Sequence, residues 1–198
     1  MKSLLSIRKI TVTDIPYILA YWREASNEDL IRMGELKRPD EHENQKFLKW
    51  FCETNHTLEE AGEDIVIWEI DGKAVGYSTL KQFKIPEYGQ IHLHMWEKDI
   101  RGKGYGAVLF CLSILNFRKK YRIRELYCMP KSDNPMPNQM LTRIGFPITD
   151  SKNCTDREYS EGVFVKHTKY ALTDEVTRKY LELASEKFRF ERLGALTE

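Results

Sequence analysis

Asp71-Gly72 splits the stretch EDIVIWEIDGKAVGYSTLKQF into two extended runs rich in β-branched and aromatic residues. An Asp-Gly pair accepts the positive φ that both central residues of a tight hairpin turn require, and the twist of such a turn matches that of its flanking strands. The stretch therefore predicts a β-hairpin, and the centre of the fold is antiparallel. A third extended run, YGQIHLHMWE, follows the turn at Pro86 and completes a meander.

The flanks read as helices and further strands. LLSIRKITVTDIP alternates from Leu5 to Ile10 and predicts a strand; Thr13 and Asp14 then cap a helix carrying Ile18, Leu19 and Trp22, with Pro16 in its first turn. Residues 23 to 40 lose the period and hold Asn27, Gly34 and Pro39, a loop or broken helix. Asp40 and Glu43 open a helix over residues 41 to 56 with Phe47, Leu48 and Phe51 on one face. Ala107 to Lys119 read as a largely buried helix and IRELYCM as a short strand. Pro135 and Pro137 break the chain before a short helix with Met140, Leu141 and Ile144, which Gly145 stops. GVFVKHTKYAL is the last strand, and a terminal helix runs from an N-cap at Thr173 to a C-cap at Gly194. Trp22, Trp50 and Trp68 are expected in the core.

A chain of 198 residues is expected to form one domain. Its 31% charged and 41% apolar residues suit a globular protein, and the net charge of +1 gives no reason to expect nucleic acid or membrane binding. No apolar run of about eighteen residues is present. The four cysteines, Cys52, Cys111, Cys128 and Cys154, show no metal spacing and no leader accompanies them, so reduced thiols in a cytoplasm are expected.

Gly102, Gly104 and Gly106 follow the third strand and open the buried helix. A strand that ends in such a turn aims free backbone N–H groups and the positive end of a helix dipole at one point, which binds phosphate. Gly102, Gly104 and Ala107 fit a dinucleotide fingerprint, with Glu125 near the distance of a ribose-binding acid. That fingerprint belongs to a parallel strand-helix-strand unit, whereas this loop follows an antiparallel meander. Residues alone thus lead to a phosphate-bearing ligand on a mixed sheet.

Arg101-x-x-Gly104-x-Gly106 resembles the pyrophosphate loop of the GCN5-related N-acetyltransferase (GNAT) superfamily, and NPMPNQMLTRIGF resembles a second motif of that family, with Asn134, Arg143, Gly145 and Phe146 in register. The likeness runs element by element over residues 1 to 172 and also extends to the ribosomal-protein N-acetyltransferase-like branch. It implies an α+β GNAT fold: a mixed, mostly antiparallel central sheet flanked by helices, with an additional C-terminal helix. Residues 1 to 172 would be the acetyl-CoA-binding N-acetyltransferase domain and residues 173 to 198 its C-terminal helical extension. Acetyl-CoA would be the co-substrate, held by Arg101, Gly102, Lys103, Gly104, Tyr105 and Gly106 at its diphosphate, by Met95 and Trp96 along the pantetheine arm, and by Asn134. A capping or Asx-turn role is the alternative for Asn134.

The implied reaction moves an acetyl group to a primary amine, of a small molecule or of a peptide or protein N-terminus, by direct attack in a ternary complex. An alkyl ammonium, of pKa about 10.4, must first lose a proton. His92 and His94 stand two apart on a strand and share a face, which makes them candidate bases, with Glu97 a third. Structural packing, or a metal pair completed by His167, are the competing readings of the histidines. The resemblance assigns the oxyanion donor to the Trp96 N–H, and Leu141 stands where the family's tyrosine acid would be. Glu24, Glu28, Asp29, Glu35, Asp40, Glu41 and Glu43 outnumber Arg32, Lys37 and Arg38 in the segment expected to wall the acceptor pocket. Excess acid favours a cationic amine; a solvated loop is the plainer reading. An acyl-CoA-binding sensor or inactive module is the alternative function, and a nicotinamide-dependent oxidoreductase a third. A homodimer is compatible with the sequence.

Overall fold

The computed structural model describes residues 2–35, 37–149, 157–160 and 163–190. Its elements run β1 (Leu4–Lys9), α1 (Ile15–Glu24), α2 (Asn27–Met33), α3 (Glu41–Glu53), α4 (Leu58–Ala61), β2 (Asp64–Ile70), β3 (Lys73–Lys84), β4 (Tyr88–Met95), α5 (Tyr105–Tyr121), β5 (Glu125–Cys128), α6 (Pro135–Ile144), β6 (Arg157–Ser160), β7 (Val163–Val165), β8 (Tyr170–Ala171), α7 (Asp174–Ala184) and β9 (Arg189–Phe190). Among the described residues, seven strands form one sheet in the order β8-β5-β4-β3-β2-β1-β9, and β6 and β7 pair apart from it. The β4–β5 and β1–β9 pairs are parallel, the others antiparallel. This is the α+β fold expected.

The hairpin forms as read: Asp71 and Gly72 take φ of 51° and 79° between β2 and β3. Alternation along these strands then divides the core. One face packs on α5 through Leu5, Trp68, Leu80 and Ile91, with α6 and α7 beyond. The other, with Ile65, Ile67 and Tyr77, packs on Ile18 and Leu19 of α1 and Leu48 and Phe51 of α3. α5 is buried almost all round from Ala107 to Phe117, as its uninterrupted apolar run demands.

Several boundaries differ from the sequence reading. Residues 27 to 33 form a short helix because the Ser26 side chain accepts from the Asp29 N–H and Gly34 closes it at φ 90°. Pro135 and Pro137 do not break the chain; they lie in the first turn of α6, where no intrahelical N–H is needed. The last strand is divided: Val163–Val165 pairs with β6, His167 bridges Lys131, and only Tyr170–Ala171 joins β5. The terminal helix ends at Ala184, and residues 189 and 190 pair in parallel with Leu4 and Leu5, capping an otherwise open sheet edge. Gly194 lies outside the described residues, as does Cys154. Trp68 is fully buried, whereas Trp22 is half-buried in a cleft and Trp50 is on the surface.

Candidate active site

Parting of two strands creates the site. β5 pairs with β4 only from Tyr88 to Gln90, so beyond Ile91 the β5-facing edge of β4 is uncovered. The Trp96 N–H donates to the Val75 carbonyl at 3.1 Å. Because hydrogen-bonding direction alternates along an antiparallel ladder, His92, His94 and Trp96 turn their main chain toward β3, and Leu93 and Met95 turn theirs into the gap. This corrects the oxyanion donor expected from the sequence: the Trp96 amide is committed to β3, and the amides directed to the gap are those of Leu93 and Met95. The Arg101 guanidinium donates to the Met95 carbonyl and ties the loop to the strand end.

The loop then places backbone donors at the mouth of this gap. Gly102 and Gly104 have φ of 78° and 91°, the left-handed region that side chains disfavour, and Gly104 is the N-cap of α5. The first amides of a helix have no intrahelical acceptor, so those of Tyr105, Gly106 and Ala107 converge at its positive end. A Cβ on Gly106 would come within 3.3 Å of the Met95 methyl, so the bare backbone is also a packing need. Lys103 is exposed at the rim, and the Tyr105 ring packs on Phe188 at 5.2 Å, which links the loop to the segment after α7.

Across the gap stands Asn134, the N-cap residue of α6. Its side chain makes no capping bond, and its buried Oδ1 has no hydrogen-bond partner among the described residues. A buried acceptor left open costs about 1–3 kcal/mol, a cost that a bound donor removes. Leu141 is fully buried, so no acid stands at its position.

One cleft of about 1160 Å³ joins this region to the other face of the sheet. There the His94 ring stacks on Tyr77 and meets Tyr21 and Trp22 at centroid distances of 5.5 and 5.1 Å. Trp96 extends this aromatic wall outward and stacks on Tyr17 at 5.9 Å. Enclosure by these rings pulls the His94 pKa down to about 3, with electrostatic interaction with His92 and Lys81 as lesser causes. Burial likewise lifts the Tyr21 hydroxyl to about 12. His92 lines the same cleft beside Thr79 and, as alternation requires, shares a face with His94. Glu97 is not in the cleft; it pairs with Lys73 at 2.8 Å on the surface. Among the described residues, no three His, Cys, Asp or Glu side chains are arranged to hold a metal ion.

The acid excess of residues 24 to 43 divides. Glu24, Asp29 and Glu35 line the cleft, while Asp40 caps α3, Glu41 pairs with Arg23 and Glu43 pairs with Lys46. Arg38 donates to the carbonyls of Trp22, Arg23 and Ala25 and so fixes the end of α1 that carries the aromatic wall. Glu63 and Tyr77, which no local pattern singles out, also line the cleft. Only the hairpin register, pairing residue 64 with 80 and residue 77 with 94, brings them there.

A family model described as "Acetyltransferase (GNAT) family" matches residues 20–146. The chain belongs to this family. As a GNAT protein it is an acyltransferase, and its fold recurs in solved N-acetyltransferases. RimL, a ribosomal L7/L12 alpha-N-protein acetyltransferase solved in complex with coenzyme A, superposes with a TM-score of 0.63 at 13% identity, covering 83% of this chain and 91% of that one. A spermidine N-acetyltransferase SpeG chimera from Vibrio cholerae and hSSAT gives 0.66 at 14%, covering 89% and 98%. The ribosomal-protein-alanine N-acetyltransferase from Brucella melitensis gives 0.59 at 18%, covering 82% and 97%. No curated protein matches the chain in sequence. No described helix of this GNAT protein is long and apolar enough to cross a membrane.

Proposed function

We propose that the protein transfers an acetyl group from acetyl-CoA to a primary amine by direct attack within a ternary complex. One observation carries this reading: a glycine loop at the head of a 17-residue helix, the uncovered edge of β4 and the unpartnered Asn134 oxygen all open onto one cleft. The residues fit acetyl-CoA. The amides from Arg101 to Gly106 suit a diphosphate, with Lys103 adding charge. The main chain of Leu93 and Met95 suits an amide-bearing arm, and Asn134 accepts a hydrogen bond from it. Acetyl-CoA supplies the activated acyl group; the chain orients it and excludes water.

The acceptor enters from the opposite mouth, between α1, α2 and the aromatic wall. The structural neighbours act, by their names, on protein N-termini and on spermidine, and a wall of neutral rings with Glu24, Asp29 and Glu35 suits either kind of amine. The described thiols, Cys52, Cys111 and Cys128, are free, which accords with a cytoplasmic setting. We read residues 173 to 190 as part of the same domain, since α7 packs on α5 and β9 on β1.

A sensor that binds acyl-CoA without turnover is the second reading, favoured by the buried Leu141. Titration calorimetry with acetyl-CoA, followed by thiol release with spermidine and with a peptide bearing N-terminal alanine, separates the two. Binding with turnover is expected. Binding without turnover on any amine supports the sensor, and absence of binding ends both.

A further inference from the structure

We propose that Glu63 is the proton acceptor for the incoming amine, with Lys81 holding its carboxylate in the cleft. The proposal rests on the acetyltransferase reading above. Transfer needs a base on the acceptor side of the sheet; several candidates are poorly suited, and His92, which lines the same cleft, is the rival that the His92→Gln variant tests. His94 is enclosed by aromatic rings that hold its pKa down to about 3, so it accepts a proton poorly, Glu97 is paired on the outer surface, and the tyrosine hydroxyls are held protonated.

Glu63 immediately precedes β2. Its neighbour Asp64 turns to the α5 side, where it accepts from Lys120 and Tyr121 at 2.9 Å, so alternation sends Glu63 to the face that carries His92 and His94. There it lines the cleft with its side chain only 15% exposed, and the Lys81 Nζ lies 3.2 Å from a carboxylate oxygen. Burial raises the carboxyl above its ordinary value and Lys81 opposes that rise. A carboxyl raised in this way is a better base than a solvated carboxylate. Its ion-pair partner among the described residues is a lysine 45% exposed.

The titratable groups that share the cleft with Glu63 include Lys81 and Tyr77 from β3, His92 from β4, and Glu35, on which the Lys81 charge also acts, while Asp64 acts on Glu63 from the opposite face; α3 contributes uncharged Asn44, Phe47 and Leu48 to the cleft. The ammonium gives one proton to the Glu63 carboxylate, directly or through a water. The nitrogen lone pair then forms the C–N bond, the C–S bond breaks, and its electron pair leaves on sulfur. The second nitrogen proton passes to the thiolate, and Glu63 returns its proton to solvent. The products are amide, thiol and one proton.

The test is thiol release with acetyl-CoA and either spermidine or the alanyl peptide across pH, for wild type, Glu63→Gln, Glu63→Asp, Lys81→Met and His92→Gln, with acetyl-CoA affinity measured by calorimetry as the check on folding. Glu63→Gln is expected to lower kcat about 100-fold at neutral pH without changing acetyl-CoA affinity, and to recover as pH approaches the amine's own pKa. Glu63→Asp regains part of the rate. Lys81→Met, by removing the charge that holds the carboxyl down, shifts the acidic limb of the profile to higher pH. Wild-type kcat and profile in Glu63→Gln, or loss of the acidic limb in His92→Gln instead, overturns the proposal. A wild type that binds acetyl-CoA but releases no thiol overturns the acetyltransferase reading itself.

Discussion

The His94 imidazole lies 4.7 Å from the Tyr77 ring, centroid to centroid, with the planes 23° from parallel. This stack places a titratable ring where its charged form is disfavoured. Unfolded, the same ring titrates near its ordinary value of about 6.5. Between that value and the folded value of about 3 the unfolded chain binds the extra proton, so the stabilisation is full above the unfolded value and is lost as pH falls through this window. Denaturation of wild type and His94→Phe near neutral pH and in mild acid should show the wild type losing more stability on acidification. Equal losses in the two proteins would show that His94 titrates normally.

The open Asn134 oxygen leads to opposite effects on stability and binding. Asn134→Ala removes a buried acceptor that the free protein leaves without a partner, so stability should stay within about 1 kcal/mol of wild type or rise. Acetyl-CoA should bind roughly 5- to 10-fold more weakly, the worth of one lost hydrogen bond. Calorimetry and thermal melts of one sample check both. Unchanged affinity would mean that this oxygen meets solvent or another group instead.

At Gly104, φ of 91° matters more than crowding, since an added Cβ would meet Phe188 only at an ordinary 3.7 Å. Gly104→Ala should therefore cost about 1–2 kcal/mol of stability through backbone strain, and weaken acetyl-CoA binding as the loop rearranges. At Gly76 the reason differs: a Cβ would fall 2.4 Å from the His94 carbonyl and push β4 outward. Gly76→Ala should cost at least as much stability, with the larger effect on kcat. Chemical denaturation and steady-state kinetics of the two variants decide this, and equal, negligible costs would refute both arguments.

Asp14 is buried between two elements, accepting from Arg8 of β1 at 2.6 and 2.8 Å and from the Thr11 N–H at 2.9 Å. Burial alone would raise its carboxyl, but the hydrogen bonds from Arg8 and Thr11 and the charge of Arg8 bring it below the usual range. A depressed carboxylate contributes stability above its unfolded pKa and loses it as pH falls through the folded one. Asp14→Ala should destabilise by about 2–3 kcal/mol near neutral pH, less than a wholly buried pair because Arg8 is 32% exposed, and the deficit should shrink in strong acid. A deficit independent of pH would place the loss in packing.

Features with local causes were legible in the chain. Asp71-Gly72 encodes its own turn, Asp40 and Thr173 supply their own caps, and Gly145 ends α6 at φ 100°. The glycine loop was legible for the same reason, since Gly102, Gly104 and Gly106 lie within five residues and their freedom is intrinsic. Less legible were the short α2, whose cap at Ser26 lies in an aperiodic stretch, and the division of the last strand, which depends on which partner each part meets.

The order of residues by itself determined the antiparallel centre, the strand-loop-helix unit and the face shared by His92 and His94, because turn chemistry and alternation act over a few neighbouring residues. Tertiary structure alone decided what those residues experience. The parting of β5 from β4, the Val75 carbonyl that takes the Trp96 amide, the rings of α1 that keep His94 uncharged, and the register that sets Glu63 beside Lys81 all arise from contacts between distant segments. Solvation and hydrogen bonding depend on these contacts, and no local pattern carries them.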